Sequence, residues 1–498
     1  MNLCKRSLTA ALFVVGTMSL YGQVGVVLLE TMDADTTNGR NSNVSMAVVR
    51  ADATTSLASL APLSVASSSL NESDPRAFDD RAGGMYLTFL VASTSTEESS
   101  DTDIAIEHRS ADGEPLWTDS SGSSLRYVAR SVHAEHSPEV VPTDDGVVVL
   151  YDLTYREGPH KGDVDVAARW IPTNDTVEGT SFWVAQSADT ERLAGTFIAA
   201  DGSIVAVIER TTSGGSDIVA VRLGKTGAVD WPDGSAESIV AAGRHNEHGS
   251  VVASDLYGGG VVAYELSYAD GPRAGDTDII AQRISGTGER LWIDRENPPI
   301  VAASTHSVES APRIVVDSNG VTVAFEIDPK GPNDLSLVGL QRLDRTGHPQ
   351  WDSGHRSVPF PLPGRAASMP IIVGDGTGGV FVVVEGRDSA GRGIDAYAQY
   401  FTRSGTALWA SGRDGVPVYR GPMAERAFGL FVTGQRLVVV ANELPVYRID
   451  DGRSPDTSIV AQALDIEGRF AWEIGENNLM VARAPLSDEE PTLVVVGQ

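Results

Sequence analysis

Beyond its fourth residue the chain has no cysteine; Cys4 is the only one in 498 residues. A disulfide framework is therefore excluded, and the fold must rest on its core or on bound ions. Lysine is nearly missing as well: beyond Lys5 there are only Lys161, Lys225 and Lys330. The formal net charge is −29. Such a surface repels phosphate backbones and anionic lipid, which speaks against nucleic acid and anionic membranes as partners. After the first twenty residues no run approaches the ~18 apolar residues that a membrane span needs. Long amphipathic helical patterns are missing too. So are the catalytic signatures Gly-x-Ser-x-Gly, His-Glu-x-x-His and the phosphate-cradling loop.

What is present begins with a targeting pattern. Lys5 and Arg6 precede a short apolar run, Leu8 to Leu20, with small residues at Ser19 and Gly22. This reads as a cleaved secretory signal over residues 1–22, rather than an uncleaved anchor. Cys4 lies before the apolar run, so lipid attachment there is not expected. The expectation is an exported protein, extracellular, at the cell surface or periplasmic, with residues 23–498 as one domain and a monomer as its state.

The remaining length is written in one repeated sentence. Gly-x-x-x-Trp ends at Trp117, Trp183, Trp231, Trp292, Trp351, Trp409 and Trp472, with a mean spacing of about 59 residues. A strand reading roughly Asp-x-x-x-Ala-x-Arg precedes each, as in Asp278–Arg283 or Asp163–Arg169. Before that come two β-branched runs split by a turn, as in Pro312–Asp317 and Gly320–Glu326. Asn-Gly, Asp-Gly and Gly-Gly accept positive φ cheaply and mark hairpins. A last short strand follows each Trp. Four strands per unit, repeated in series, predict an all-β fold, a β-propeller of four-stranded blades; a linear solenoid is the alternative.

The chain ends on Glu490 to Gly497, which matches only the first strand of a unit, and Val24 to Glu30 matches a second strand. One blade assembled from both termini would close the ring and leave no open sheet edge. That count gives eight blades. Seven follows if residues 160–200, where the spacing is irregular, conceal a misread unit. The seven tryptophans are expected to be structural, plugs between neighbouring blades.

These units resemble the secreted bacterial repeat proteins that carry P-x-x-x-x-D-x-x-G-G, then D-x-x-A-Q-R, then G-x-x-x-W. Leu464–Trp472 and Leu343–Trp351 are also similar to the tryptophan-docking motif of quinoprotein-like eight-bladed propellers. The resemblance implies the architecture; the chemistry of the quinoproteins is not expected in a mature chain without cysteine.

Candidate functional residues lie in loops. The links between second and third strands share one propeller face with the links from blade to blade. The former are acidic: Thr94–Asp103, Tyr155–Asp165, Tyr268–Asp278 and Asp388–Asp395. Oxygen ligands at this density suit Ca²⁺, with Asp33, Asp35, Asp270, Asp276 and Asp278 as candidates. Just before the innermost strands lie Glu72, Glu135, Glu247, Glu309, Glu425 and Glu490, joined by His136, His248 and His306. These would form an acidic funnel for a cation or a cationic ligand. The alternative is that each carboxylate accepts backbone hydrogen bonds from an inter-blade loop. Catalysis needs unlike groups converging on one place, whereas these repeat. The expectation is thus a non-catalytic binding or scaffolding propeller with a protein or glycan partner at the envelope. A glycosidase-like enzyme on the same frame, needing only two carboxylates, is the alternative.

Overall fold

The computed structural model describes residues 24–32, 42–50, 63–66, 71–92, 101–118, 122–173, 179–224, 227–292, 300–302, 307–329, 331, 334–351, 357–387, 394–419, 424–434, 436–444, 457–472, 479–484 and 491–496. The signal segment lies outside them, as do Asp33, Asp35, His306 and Glu490. The described residues are all-β: their helical elements are the short 3₁₀ turns Gly271–Arg273 and Trp409–Gly412. None of their helices is long and apolar enough to cross a membrane.

The strands form antiparallel meanders of four, the blades of a β-propeller. Two compact units contain them. One comprises Arg192–Gly224 and Ala228–Phe360; the other comprises Val14–Glu191, Lys225–Gly227 and Pro361–Gln498. In the first unit, Asn246–Ser254, Gly260–Ser267, Thr277–Ile284 and Ile300–Ala302 make one meander. Ser307–Asp317, Gly320–Pro329, Leu337–Asp344 and Val358–Pro359 make the next. In the second unit, Ala134–Thr143, Gly146–Thr154, Val164–Pro172 and Thr180–Ala185 show the same order. There too, Thr492–Val496 pairs with Val24–Met32, so strands from both chain ends share a sheet.

Second strands such as Gly84–Ala92 and Gly146–Thr154 are buried on both faces along nearly their whole length. Continuous burial requires a sheet on each side, which explains why their sequences are apolar runs rather than alternating patterns. Each apolar cluster accordingly draws on neighbouring meanders. One runs from Ala194 to Ile284 in the first unit, another from Val373 to Leu464 in the second.

Every residue of the repeated motif has a structural task. Gln282 Oε1 accepts the backbone N–H of Trp292 at 3.1 Å, and Gln341 and Gln399 hold Trp351 and Trp409 in the same way. The following Arg reaches the hairpin Asp of its own meander: Arg283 to Asp255 at 2.7 Å and Arg342 to Asp317 at 2.7 Å. The indole of Trp292 donates to the carbonyl of Arg345 at 2.9 Å and covers Gly347, whose φ is +86°. A Cβ at Gly347 would stand 2.8 Å from that indole, so both backbone conformation and space demand glycine. Trp409 repeats the arrangement on Ile466 and Gly468.

Trp183 departs from the expected structural role. Trp117, Trp231, Trp292, Trp351, Trp409 and Trp472 are buried, but Trp183 is 41% exposed. It lies within the strand Thr180–Ala185, opposite Ala167, instead of following a turn. The cause is local. Ten residues before the docked tryptophans Trp292, Trp351, Trp409 and Trp472 stands a Gln; ten before Trp183 stands Thr173, beyond the third strand's end. Trp117 and Trp231 are buried with Glu107 and Val221 at that place, so what sets Trp183 apart is its position inside a strand rather than after a turn.

Candidate functional site

The innermost strands share a kink. In Asn71–Asp79, Ala134–Thr143, Asn246–Ser254, Ser307–Asp317 and Ala366–Gly374 the register with the second strand slips by an extra residue. At each slip one residue has positive φ: Asp74, Ser137, Gly249, Ala311 and Met369, between 46° and 61°. Four of these are followed by proline (Pro75, Pro138, Pro312 and Pro370), which needs no partner for a missing N–H. Bulges of this kind re-aim side chains and cluster at functional sites. In the first unit the freed amides are answered by second-strand acids: Glu209 accepts Ser250 N–H, and Glu265 accepts Ala311 N–H at 2.9 Å.

Two residues before each bulge stands a glutamate. Glu72, Glu135, Glu247, Glu309 and Glu425 are all at most 5% exposed. Glu191, which the sequence reading passed over, belongs with them. A signal was available: Ser131 and Ser187 lie four residues before Glu135 and Glu191, and each donates its hydroxyl to that glutamate at 2.5 Å. The strand Ala366–Gly374 breaks the series, with Ala367 at this position. There Glu385 is buried instead, paired with Arg426 at 2.8 Å.

Glu135, Glu247, Glu309 and Glu425 each face an aspartate near the start of a neighbouring third strand (Asp103, Asp217, Asp278 and Asp395), so two acids read separately in the sequence form pairs. Burial, with Asp103 and Asp101 nearby, pushes Glu135 up to about 7. Burial and Asp217 do the same for Glu247, also to about 7. Glu309 rises to about 8 through burial and the charges of Asp278 and Asp276. Glu425 rises to about 8 through burial, Asp395 and Glu443. One oxygen on each of these four glutamates is buried without a hydrogen-bond partner among the described residues. Burial of a charge without compensation favours the neutral form of these glutamates.

The histidines do not join a common site. His136 Nε2 lies 2.8 Å from Thr154 Oγ1, and His248 Nε2 lies 2.9 Å from Ser267 Oγ. Their companions turn elsewhere: His133 sits edge-on to Tyr155 and His245 against Tyr268, with ring centroids 5.0 and 4.9 Å apart. Among the described residues no three His, Cys, Asp or Glu side chains converge to hold a metal ion. Asp276 and Asp278, read as candidate Ca²⁺ ligands, both ion-pair with Arg273, whose single charge offsets one of the two. Asp270 is exposed and lies 3.7 Å from Arg244.

Two of the acidic loops close identically. Tyr155 N–H donates to Asp163 O and Gly162 N–H to Tyr155 O; Tyr268 N–H donates to Asp276 O and Gly275 N–H to Tyr268 O. Each tyrosine hydroxyl donates to the aspartate ten residues on, Tyr155 to Asp165 at 2.8 Å and Tyr268 to Asp278 at 2.9 Å. That bond and burial raise both phenols, Tyr268 to about 12. They differ five residues after the tyrosine. Arg273 lies over the Tyr268 ring at 4.2 Å, whereas His160 occupies the matching place beside Tyr155.

No protein-family model matches this sequence, nor does any curated protein sequence. Solved structures do show likeness. The polysaccharide lyase Uly1 is 10% identical, with 79% of this chain and 89% of that one covered at a TM-score of 0.42. A post-proline cleaving enzyme from Rickettsia typhi is 8% identical, covering 84% of this chain and 57% of that one at 0.45. The β-propeller domain of the trilobed protease from Pyrococcus furiosus is 9% identical, covering 81% and 98% at 0.40. Likenesses this distant carry no argument about substrate or activity.

Proposed function

We propose that this chain is an exported β-propeller that takes a carbohydrate on its acidic loop face. The observation that supports this reading is the character of the loops that pair with the glutamates. They are rich in carboxylate side chains whose oxygens accept hydrogen bonds. A neutral, hydroxyl-rich ligand donates to such a surface without the charge repulsion that nucleic acid or anionic lipid would meet. Binding rather than catalysis is favoured because the same Asp–Glu pair recurs from meander to meander instead of one set of unlike groups converging. In the same proposal, residues 23–498 make one monomeric eight-bladed ring released from its signal, with Ca²⁺ reserved for loops such as the one containing Asp33 and Asp35.

A second reading, a glycosidase-like enzyme, has one observation in its favour. Burial beside a second carboxylate raises Glu135, Glu247, Glu309 and Glu425, and an acid raised in this way next to another carboxyl group is what the general acid of glycoside hydrolysis requires. The test is a panel of neutral polysaccharides assayed for both retention and release of reducing ends by the purified mature chain. Retention without release supports binding. Release that disappears in Glu309→Gln or Glu425→Gln supports the enzyme, and neither retention nor release removes both readings.

A further inference from the structure

We propose that Trp183 and Tyr155 form a glycan subsite in the second unit, a platform for the apolar face of a sugar ring. This deepens the carbohydrate reading above and rests on it. Trp183 carries a large apolar ring that is 41% exposed, at the end of a blade where the corresponding motif elsewhere in the chain buries its tryptophan. Its ring and that of Tyr155 lie 25° from parallel with centroids 6.5 Å apart. Tyr155 is in turn fixed: its hydroxyl donates to Asp165 at 2.8 Å and accepts from Gln186 Nε2 at 3.0 Å, while His133 meets its ring edge-on. The aromatic surface is therefore held in place before any ligand arrives, which lowers the ordering cost of binding.

The rim identifies the class of ligand. Gln186 and His160 are exposed and Asp163 is part-buried, so an amide, an imidazole and a carboxylate stand around the rings. An amide, an imidazole and a carboxylate beside an aromatic face match a pyranose, whose C–H groups cover the ring while its hydroxyls reach the rim. A nucleobase offers the same flat face, but its phosphates meet a chain of net charge −29.

The experiment uses the full mature chain, electrophoresed through gels containing xylan, arabinan, mannan, cellulose derivatives or mixed-linkage glucan. One or more of these is expected to retard the wild type. Trp183→Ala should bind the retarding polysaccharide roughly tenfold more weakly, as expected when an aromatic contact is lost. Trp183→Tyr, which keeps an aromatic face, should stay within about threefold of wild type. Gln186→Ala is the second variant, expected to weaken binding by a smaller factor without touching the strand that carries Trp183. Unchanged affinity in both Trp183→Ala and Gln186→Ala overturns the platform while leaving carbohydrate binding intact. A wild type retarded by none of the probes overturns the platform and the carbohydrate reading together.

Discussion

The loops Tyr155–Asp165 and Tyr268–Asp278 begin from the same plan. Each has a tyrosine whose backbone closes the loop eight residues on, a histidine edge-on to the ring, and an aspartate accepting the phenol hydroxyl. In the second loop Arg273 fills the space above the ring and ion-pairs with Asp276 and Asp278. In the first loop the same position is His160, and Trp183 extends the aromatic surface outward. One ring is covered by a cation of its own loop, and the other is the one proposed above to take a sugar. The lesson is that an acidic loop in this protein is not by itself a cation site. The carboxylates are spent internally in both loops, on Arg273 in one and on the Val164 and Ser187 amides and the Tyr155 and Thr190 hydroxyls in the other.

The tryptophans give the same contrast at larger energy, and the predictions follow from there downward. Trp292→Ala removes an indole that is 2% exposed and leaves a cavity over Gly347. Its expected cost is about 3–5 kcal/mol, read as a shift in the denaturant midpoint. Trp183→Ala, at an exposed site, should cost less than about 0.5 kcal/mol in the same titration. Equal losses would show that Trp183 is a plug after all.

Arg273→Ala is the next largest. It leaves Asp276 and Asp278, 2% and 0% exposed at their side chains, facing each other and Glu309 without a cation. Breaking such a pair costs about 2–4 kcal/mol after allowance for partial exposure of the arginine. His160→Ala in the open loop should change stability by less than about 0.5 kcal/mol. Thermal melts of the two variants, compared side by side, measure how much the closed loop depends on its arginine.

The acid pairs predict the pH response. Glu309 and Glu425 titrate at about 8 and Glu135 and Glu247 at about 7, against an ordinary value of 4.5. The folded state therefore holds these protons more tightly than the unfolded chain. The stability they contribute is complete below about pH 4.5 and is lost as pH rises through 7 and 8. Denaturation midpoints should fall across that window, and Glu309→Gln should flatten part of the fall. A midpoint that rises from pH 5 to pH 8 would contradict the burial of these carboxyls in neutral form.

The fold was largely legible because the docking motif repeats at a fixed spacing and because hairpin glycines mark each turn. The pairing of Val24–Met32 with Thr492–Val496 was legible too, since each end matched a different strand of the unit. The site was legible only in pieces. Glu309 and Asp278 were both visible as repeated acids, but their juxtaposition depends on how one meander packs on the next, which no local pattern encodes. Arg273 was invisible as a counter-ion because it sits in the middle of a loop that reads as acidic. Trp183 was misassigned because Gly179 to Trp183 satisfies the spacing although Trp183 lies inside a strand rather than after a turn; Gln282, Gln341 and Gln399 tether three of the buried tryptophans.

The most direct test is to close the open loop. His160→Arg places beside Tyr155 the residue that Arg273 supplies to Tyr268, within reach of Asp163 and Asp165. Affinity for the polysaccharide that the wild type binds best should then fall by roughly tenfold or more, the scale of a lost anchoring contact, with thermal stability unchanged or slightly raised. Undiminished affinity in His160→Arg would contradict the claim that the open loop is where carbohydrate binds.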